Sequence, residues 1–160
     1  MIKVTLKDGS VLECEEGASV FDIAAKISEG LARAALGALV DGKVVETNYV
    51  PARDCSLQIL TFKDEEGRRI YRHTCSHVLA QAMKSVYPTV KLAIGPAIDD
   101  GFYYDFDFTT PISLEELDKV EEEMAKIIKA DYKLERFVLP RKEALELMQS
   151  YGEPYKVELI

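Results

Sequence analysis

The sequence predicts an α+β chain in two parts. Three observations carry this. Residues 1–62 combine short period-two runs with a single amphipathic helical stripe. Residues 63–69, Lys-Asp-Glu-Glu-Gly-Arg-Arg, form a charged break. Beyond it the pattern changes to longer helical stretches separated by aromatic-rich extended runs.

In the first part, Ile2–Leu6 alternates as a strand, and Lys7-Asp8-Gly9-Ser10 supplies a hairpin turn in which Gly9 takes a positive φ. Val11–Cys14 returns as the second strand. Ser19 is placed to cap a helix, with Asp22 three residues on as an acidic variant of the capping box. Val20, Ile23, Ala24 and Ile27 fall on one face of that helix, and Gly30 marks its expected end. Asp41-Gly42, between Ala38–Val40 and Lys43–Val45, is a two-residue hairpin signal. Ser56–Phe62 alternates as a closing strand. Hairpin, helix, hairpin and final strand is the order of a β-grasp, one helix laid across a mixed sheet. The domain boundary is expected at 62/63.

In the second part, residues 68–87 are expected to form a helix ending before Pro88. Lys91–Ile98 and Gly101–Phe108 are expected as two strands joined at Asp99-Asp100-Gly101. Ser113 with Glu116 forms a capping box that opens a helix running to about residue 130. Its expected buried stripe is Leu117, Val120, Met124, Ile127 and Ile128. Leu134–Leu139 reads as a short strand, Pro140–Tyr151 as a helix, and Glu153–Ile160 as a further extended segment. A chain stopping within a strand is expected to be the N-terminal fragment of a longer protein.

The 160 residues are 48% hydrophobic and 30% charged, with a formal net charge of −8. Residues 1–62 carry 6 basic and 9 acidic groups, and residues 63–160 carry 14 and 19. Neither part is basic. This argues against a stand-alone nucleic-acid binder, whose affinity comes from Lys and Arg neutralising phosphates. An RNA contact inside a larger assembly stays open. No apolar run approaches the ~20 residues needed to span a bilayer, and the N-terminus has no signal-peptide pattern. Three cysteines, Cys14, Cys55 and Cys75, do not suggest a disulfide framework, so a reducing, cytoplasmic location is expected.

Both histidines, His73 and His77, sit four residues apart in the first helix of the second part, one turn apart on the same face. Two such imidazoles supply two of the three or four ligands a zinc site needs. Cys14, Cys55, an acidic residue or further chain would have to complete it. Alternatively, the pair positions a water for ester hydrolysis, with neutral imidazole accepting a proton and imidazolium donating one. Lys156 would add positive charge for a developing oxyanion. Residue statistics alone equally fit a packed His77 and an exposed His73. Gly95-Pro96 and Gly101-Phe102-Tyr103-Tyr104 are candidate pocket walls, because Gly admits close backbone approach and Tyr offers a flat ring with a polar tip. A hairpin whose alternate aromatics pack the core fits the same pattern.

His73-Thr74-Cys75-Ser76-His77-Val78-Leu79-Ala80-Gln81-Ala82, Lys91-Leu92-Ala93-Ile94-Gly95-Pro96, Gly101-Phe102-Tyr103-Tyr104-Asp105 and Tyr155-Lys156-Val157, in this order and spacing, closely resemble the N-terminal region of bacterial-type threonyl-tRNA synthetases. Residues 1–62 resemble the TGS β-grasp domain that opens these enzymes. Residues 63–160 resemble the first part of their editing domain, of the type shared by threonyl- and alanyl-tRNA synthetases.

The resemblance implies a fragment of an enzyme that attaches threonine to tRNA with ATP in a class II domain, which also carries zinc, outside these residues. It implies an editing region that hydrolyses mischarged seryl-tRNA. Serine lacks one methyl of threonine, which is worth only about 1–3 kcal/mol of discrimination, so a second sieve is needed. By the same resemblance His73, His77 and Lys156 are catalytic, while Gly95 and Tyr104 line the substrate pocket. The family completes this site with an Asp and a Cys-x-x-x-His segment, and no Cys-x-x-x-His occurs in this sequence. The expectation is therefore an incomplete editing site with no bound metal and little activity by itself. The fragment is expected to be a monomer and the full enzyme a homodimer, with the tRNA 3′ end as partner. Two alternatives stand beside this: a TGS-type module binding RNA or a ligand without catalysis, and a zinc-dependent hydrolase related to free-standing alanyl editing proteins.

Overall fold

The computed structural model describes residues 1–160, which divide into two compact units, Met1–Tyr71 and Arg72–Ile160.

The first unit is built on a five-stranded sheet. Its strands are β1 (Ile2–Leu6), β2 (Val11–Cys14), β3 (Gly37–Val40), β4 (Lys43–Val45) and β5 (Cys55–Leu60), in the order β2-β1-β5-β3-β4. β1 and β5 run parallel at the centre, with Val4 opposite Cys55, and the other pairs are antiparallel. This is the expected β-grasp. Gly9 takes φ +85°, and the Asp41-Gly42 turn takes φ +48° and +77°, the doubly left-handed geometry of a type I′ hairpin.

Helix α1 (Val20–Ile27) starts at the expected capping box: the Ser19 N–H donates to Asp22 Oδ2 at 2.9 Å, and the Asp22 N–H donates to Ser19 Oγ at 3.2 Å. Val20 and Ile23 join Ile2, Val4, Cys14, Ala38, Val40, Cys55 and Leu57 in the core. Gly30 does not end this helix. Ser28 ends it and caps a second one, α2 (Glu29–Ala34), by accepting the Leu31 N–H at 3.1 Å, so Gly30 lies inside a helix.

Helix α3 (Glu65–Val86) starts three residues earlier than expected. The Asp64 carboxylate accepts the Thr61 N–H at 2.8 Å and fixes the turn before the helix, so the charged stretch becomes its first turns. The two compact units meet at 71/72, within this helix, whereas the sequence placed a boundary at 62/63.

In the second unit the two expected strands are four short ones: β6 (Lys91–Leu92), β7 (Ala97–Ile98), β8 (Gly101–Phe102) and β9 (Phe106–Asp107). β6 pairs with β9 and β7 with β8. The ladder breaks between them because Pro96 has no N–H to donate. Phe102, Tyr104, Phe106 and Phe108 are shielded, while Tyr103, Asp105 and Asp107 are exposed, so the alternation survives the break.

Helix α4 (Leu117–Ala130) follows a 3₁₀ turn at Leu114–Glu116, where the Ser113 N–H donates to Glu116 Oε2 at 3.0 Å. Val120 and Ile127 pack with Ala82, Met83 and Val90. Ile128, expected in this stripe, is 65% exposed, and Leu117 also faces water. The stripe is narrower than the pattern suggested, because a straight helix presents only part of its circumference to one layer.

Two further expectations are corrected. Residues 134–139 form no strand: no neighbouring strand offers them backbone partners, and Leu134, Phe137 and Val138 are exposed. After α5 (Arg141–Ser150), residues 153–160 are not extended but form α6 (Pro154–Leu159). Pro154 sits at its first position, where a fixed φ favours helix and a missing N–H costs nothing. The extended reading of the last residues therefore does not hold. No helix is long and apolar enough to cross a membrane.

Candidate functional site

α3 presents the two imidazoles as the spacing requires. His73 Nε2 and His77 Nε2 are 3.1 Å apart, with the rings edge to face. This contact needs one donor and one acceptor, so at least one ring is neutral when the pair closes. The His77 pKa lies below the ordinary imidazole value. Partial burial is the first cause, followed by the charges of His73 and Lys156.

Between the histidines, Ser76 points into the core and is fully buried. Its hydroxyl lies 2.8 Å from the His73 carbonyl and 3.0 Å from the Gly95 carbonyl, sharing one proton between them. It thereby fastens the Ile94-Gly95-Pro96 segment to the turn that carries the imidazoles. Arg72 adds a second tie by donating to the Ile98 and Asp99 carbonyls at the β7–β8 turn.

Gly95 is required sterically. A Cβ there would stand 2.0 Å from Cδ2 of Tyr104. The Tyr104 ring fills that space and stacks on Phe106, with centroids 4.7 Å apart at 19°. Lys156 comes from α6. Its Nζ lies 5.8 Å from the Tyr104 centroid and donates to the Ala93 carbonyl at 2.8 Å, leaving two of its three N–H groups for other acceptors. Thus β6 and the residues after it, α3 and α6 bring together all five predicted site residues: His73, His77, Gly95, Tyr104 and Lys156.

The sequence missed Ser76, Lys84 and Glu153. A serine in a helix interior beside a histidine pair is a weak signal of back-bonding to the preceding turn. Lys84 and Glu153 are 69 residues apart, and nothing local links them. The suggested additional metal ligands do not assemble. Cys14 and Cys55 are buried in the core of the first unit, and no three His, Cys, Asp or Glu side chains cluster as a ligand set.

Residues 2–61 match the family model described as "TGS domain". These residues are a TGS domain. Similarity to curated proteins extends beyond the TGS domain over the whole chain. The threonine–tRNA ligase of Acetivibrio thermocellus is 61% identical over 160 residues, all of this chain and 25% of that protein. The threonine–tRNA ligase of Clostridium kluyveri is 60% identical over the same span, and that of Clostridioides difficile 56%. The chain spans about a quarter of the length of the curated relatives it matches, corresponding to their N-terminal region.

Proposed function

We propose that the TGS domain here precedes the first part of a site that hydrolyses seryl esters from tRNA, within a threonine–tRNA ligase whose class II domain attaches threonine using ATP. The observation that carries this reading is the convergence of His73, His77 and Lys156 beside Tyr104 and Gly95.

In this reading a water attacks the carbonyl carbon of the seryl ester. His77, kept neutral by its environment, accepts the water's proton. The Lys156 ammonium offsets the negative charge developing on the carbonyl oxygen. The C–O bond to the terminal ribose then breaks, and the departing oxygen takes a proton from the imidazole pair, leaving free serine and uncharged tRNA. Tyr104, seated on Gly95, forms the wall against which threonine's extra methyl is excluded.

The family's Asp and Cys-x-x-x-His belong to sequence outside these residues, so the chain alone hydrolyses little. The site works without a metal, while ATP and zinc belong to the class II domain. The partner is the tRNA 3′ end. The chain alone is a monomer, the full enzyme is a homodimer, and both are cytoplasmic.

Deacylation of seryl-tRNA specific for threonine tests this. The chain alone is compared with the chain joined to the remainder of the Acetivibrio thermocellus ligase. Release by the longer protein only is expected. Release by both would refute the incomplete-site argument, and release by neither would remove the editing reading.

One observation favours a second reading, ligand or RNA binding by the first unit. An open apolar groove of about 810 Å³ is lined by Leu31, Leu36, Phe62 and Tyr71, with Arg33 and Lys63 at its rim. Titration of the whole chain with tRNA, before and after Phe62→Ser, tests it. Saturable, salt-sensitive binding lost in the variant would support it, and no binding at low salt would exclude it.

A further inference from the structure

Glu153 is among the few buried charged residues of the chain, 6% exposed. One carboxylate oxygen accepts from Lys84 Nζ at 2.5 Å, and the other accepts the Leu92 N–H at 3.1 Å. Lys84 also donates to the Val90 carbonyl at 2.8 Å. A carboxylate taken from water has to be compensated by such partners, so this position tolerates little displacement.

The spacing gives this cluster its consequence. Lys84 lies seven residues after His77 on α3, two turns along the same face. Glu153 lies three residues before Lys156 and caps α6, its carbonyl accepting the Lys156 and Val157 N–H groups at 3.1 and 3.2 Å. The two side chains grip successive residues of one strand end: Glu153 takes the Leu92 N–H and Lys156 donates to the Ala93 carbonyl. The Lys84–Glu153 pair is therefore one link between α3 and α6, and Lys156, one turn further along α6, acts on His77 through its charge.

We propose that Glu153, held by Lys84 and the Leu92 N–H, is a positioning residue that sets α6 on β6 and so places the Lys156 ammonium beside the His73–His77 pair. This rests on the editing reading for its purpose. Its test does not, because the placement is readable without catalysis.

The experiment is an NMR titration of the two histidines in the whole chain. Lys156→Met removes the ammonium and calibrates the readout: the His77 titration moves to higher pH. Glu153→Gln keeps Lys156 in the sequence but loses its placement, and is expected to move the titration in the same direction. The double variant should then titrate as Lys156→Met alone does. A merely stabilising Glu153 would leave the imidazole titration of the folded protein unchanged. If Glu153→Gln does not fold, Glu153→Asp carries the same test, because it keeps the charge but shortens its reach. An unchanged titration in a folded Glu153 variant would overturn the proposal, as would additive shifts in the double variant or no shift in Lys156→Met. Loss of seryl-tRNA hydrolysis by the Glu153 variant of the chain joined to the remainder of the ligase, with an unmoved titration, would count against positioning. A moved titration, with no seryl-tRNA hydrolysis by the chain joined to the remainder of the ligase, would leave the positioning intact and overturn the editing reading.

Discussion

Tyr104 occupies the space a side chain at Gly95 would need, with its Cδ2 2.0 Å from where that Cβ would stand. Gly95→Ala therefore has to push the ring away from the Ala93–Gly95 backbone and from its stack on Phe106. The expected cost is about 1–3 kcal/mol, the usual range for overpacking. Denaturant unfolding of the variant measures it. In the extended protein, hydrolysis of threonyl-tRNA should rise relative to seryl-tRNA as the wall moves.

Lys84→Met leaves the Glu153 carboxylate buried without its counter-ion. Breaking a buried pair in this way costs about 3–5 kcal/mol. Lys84 is itself 33% exposed, so water softens the loss toward about 3 kcal/mol. Glu153→Leu added to Lys84→Met should recover much of it. Urea melts of the two variants check both statements.

His77 has a folded pKa below the unfolded value of about 6.5. The unfolded chain then binds more protons than the folded one in that window. Its contribution to stability is fully present above pH about 6.5 and is lost as pH falls toward the folded pKa. His77→Gln should flatten the stability–pH curve over that range. Denaturation midpoints between pH 5 and 7.5 measure this, and an unchanged slope would contradict it.

Ser19→Ala removes the acceptor for the Asp22 N–H and the hydroxyl that pairs with the Asp22 carboxylate. The first unit should lose about 1 kcal/mol. Amide exchange reads this in α1 and β1–β5, and protection in α4–α6 should not change.

Local chemistry made much of the fold legible. Asp41-Gly42 dictates a turn, Ser19 with Asp22 dictates a helix start, and His73 with His77 dictates one face, because each signal lies within four residues. The failures share a cause. Leu134–Leu139 ends in the apolar run Phe137-Val138-Leu139, rich in strand formers, but a strand needs a neighbour, which composition cannot reveal. Val157–Ile160 is apolar enough for a strand, yet Pro154 and the Glu153 cap start a helix first. Spacing suggests Lys156 as a charge donor but cannot place it near the histidines; the resemblance does. What places it, a carboxylate three residues earlier meeting a lysine 69 residues away, exists only in the folded chain.

The central claim is that His73, His77 and Lys156 act together on an ester. The most direct test is hydrolysis of seryl-tRNA by the extended protein carrying His73→Ala, with threonine attachment measured in parallel. The account predicts about a 100-fold loss of hydrolysis, the scale of a lost general acid–base group, with threonine attachment unchanged. Hydrolysis at the original rate would contradict it.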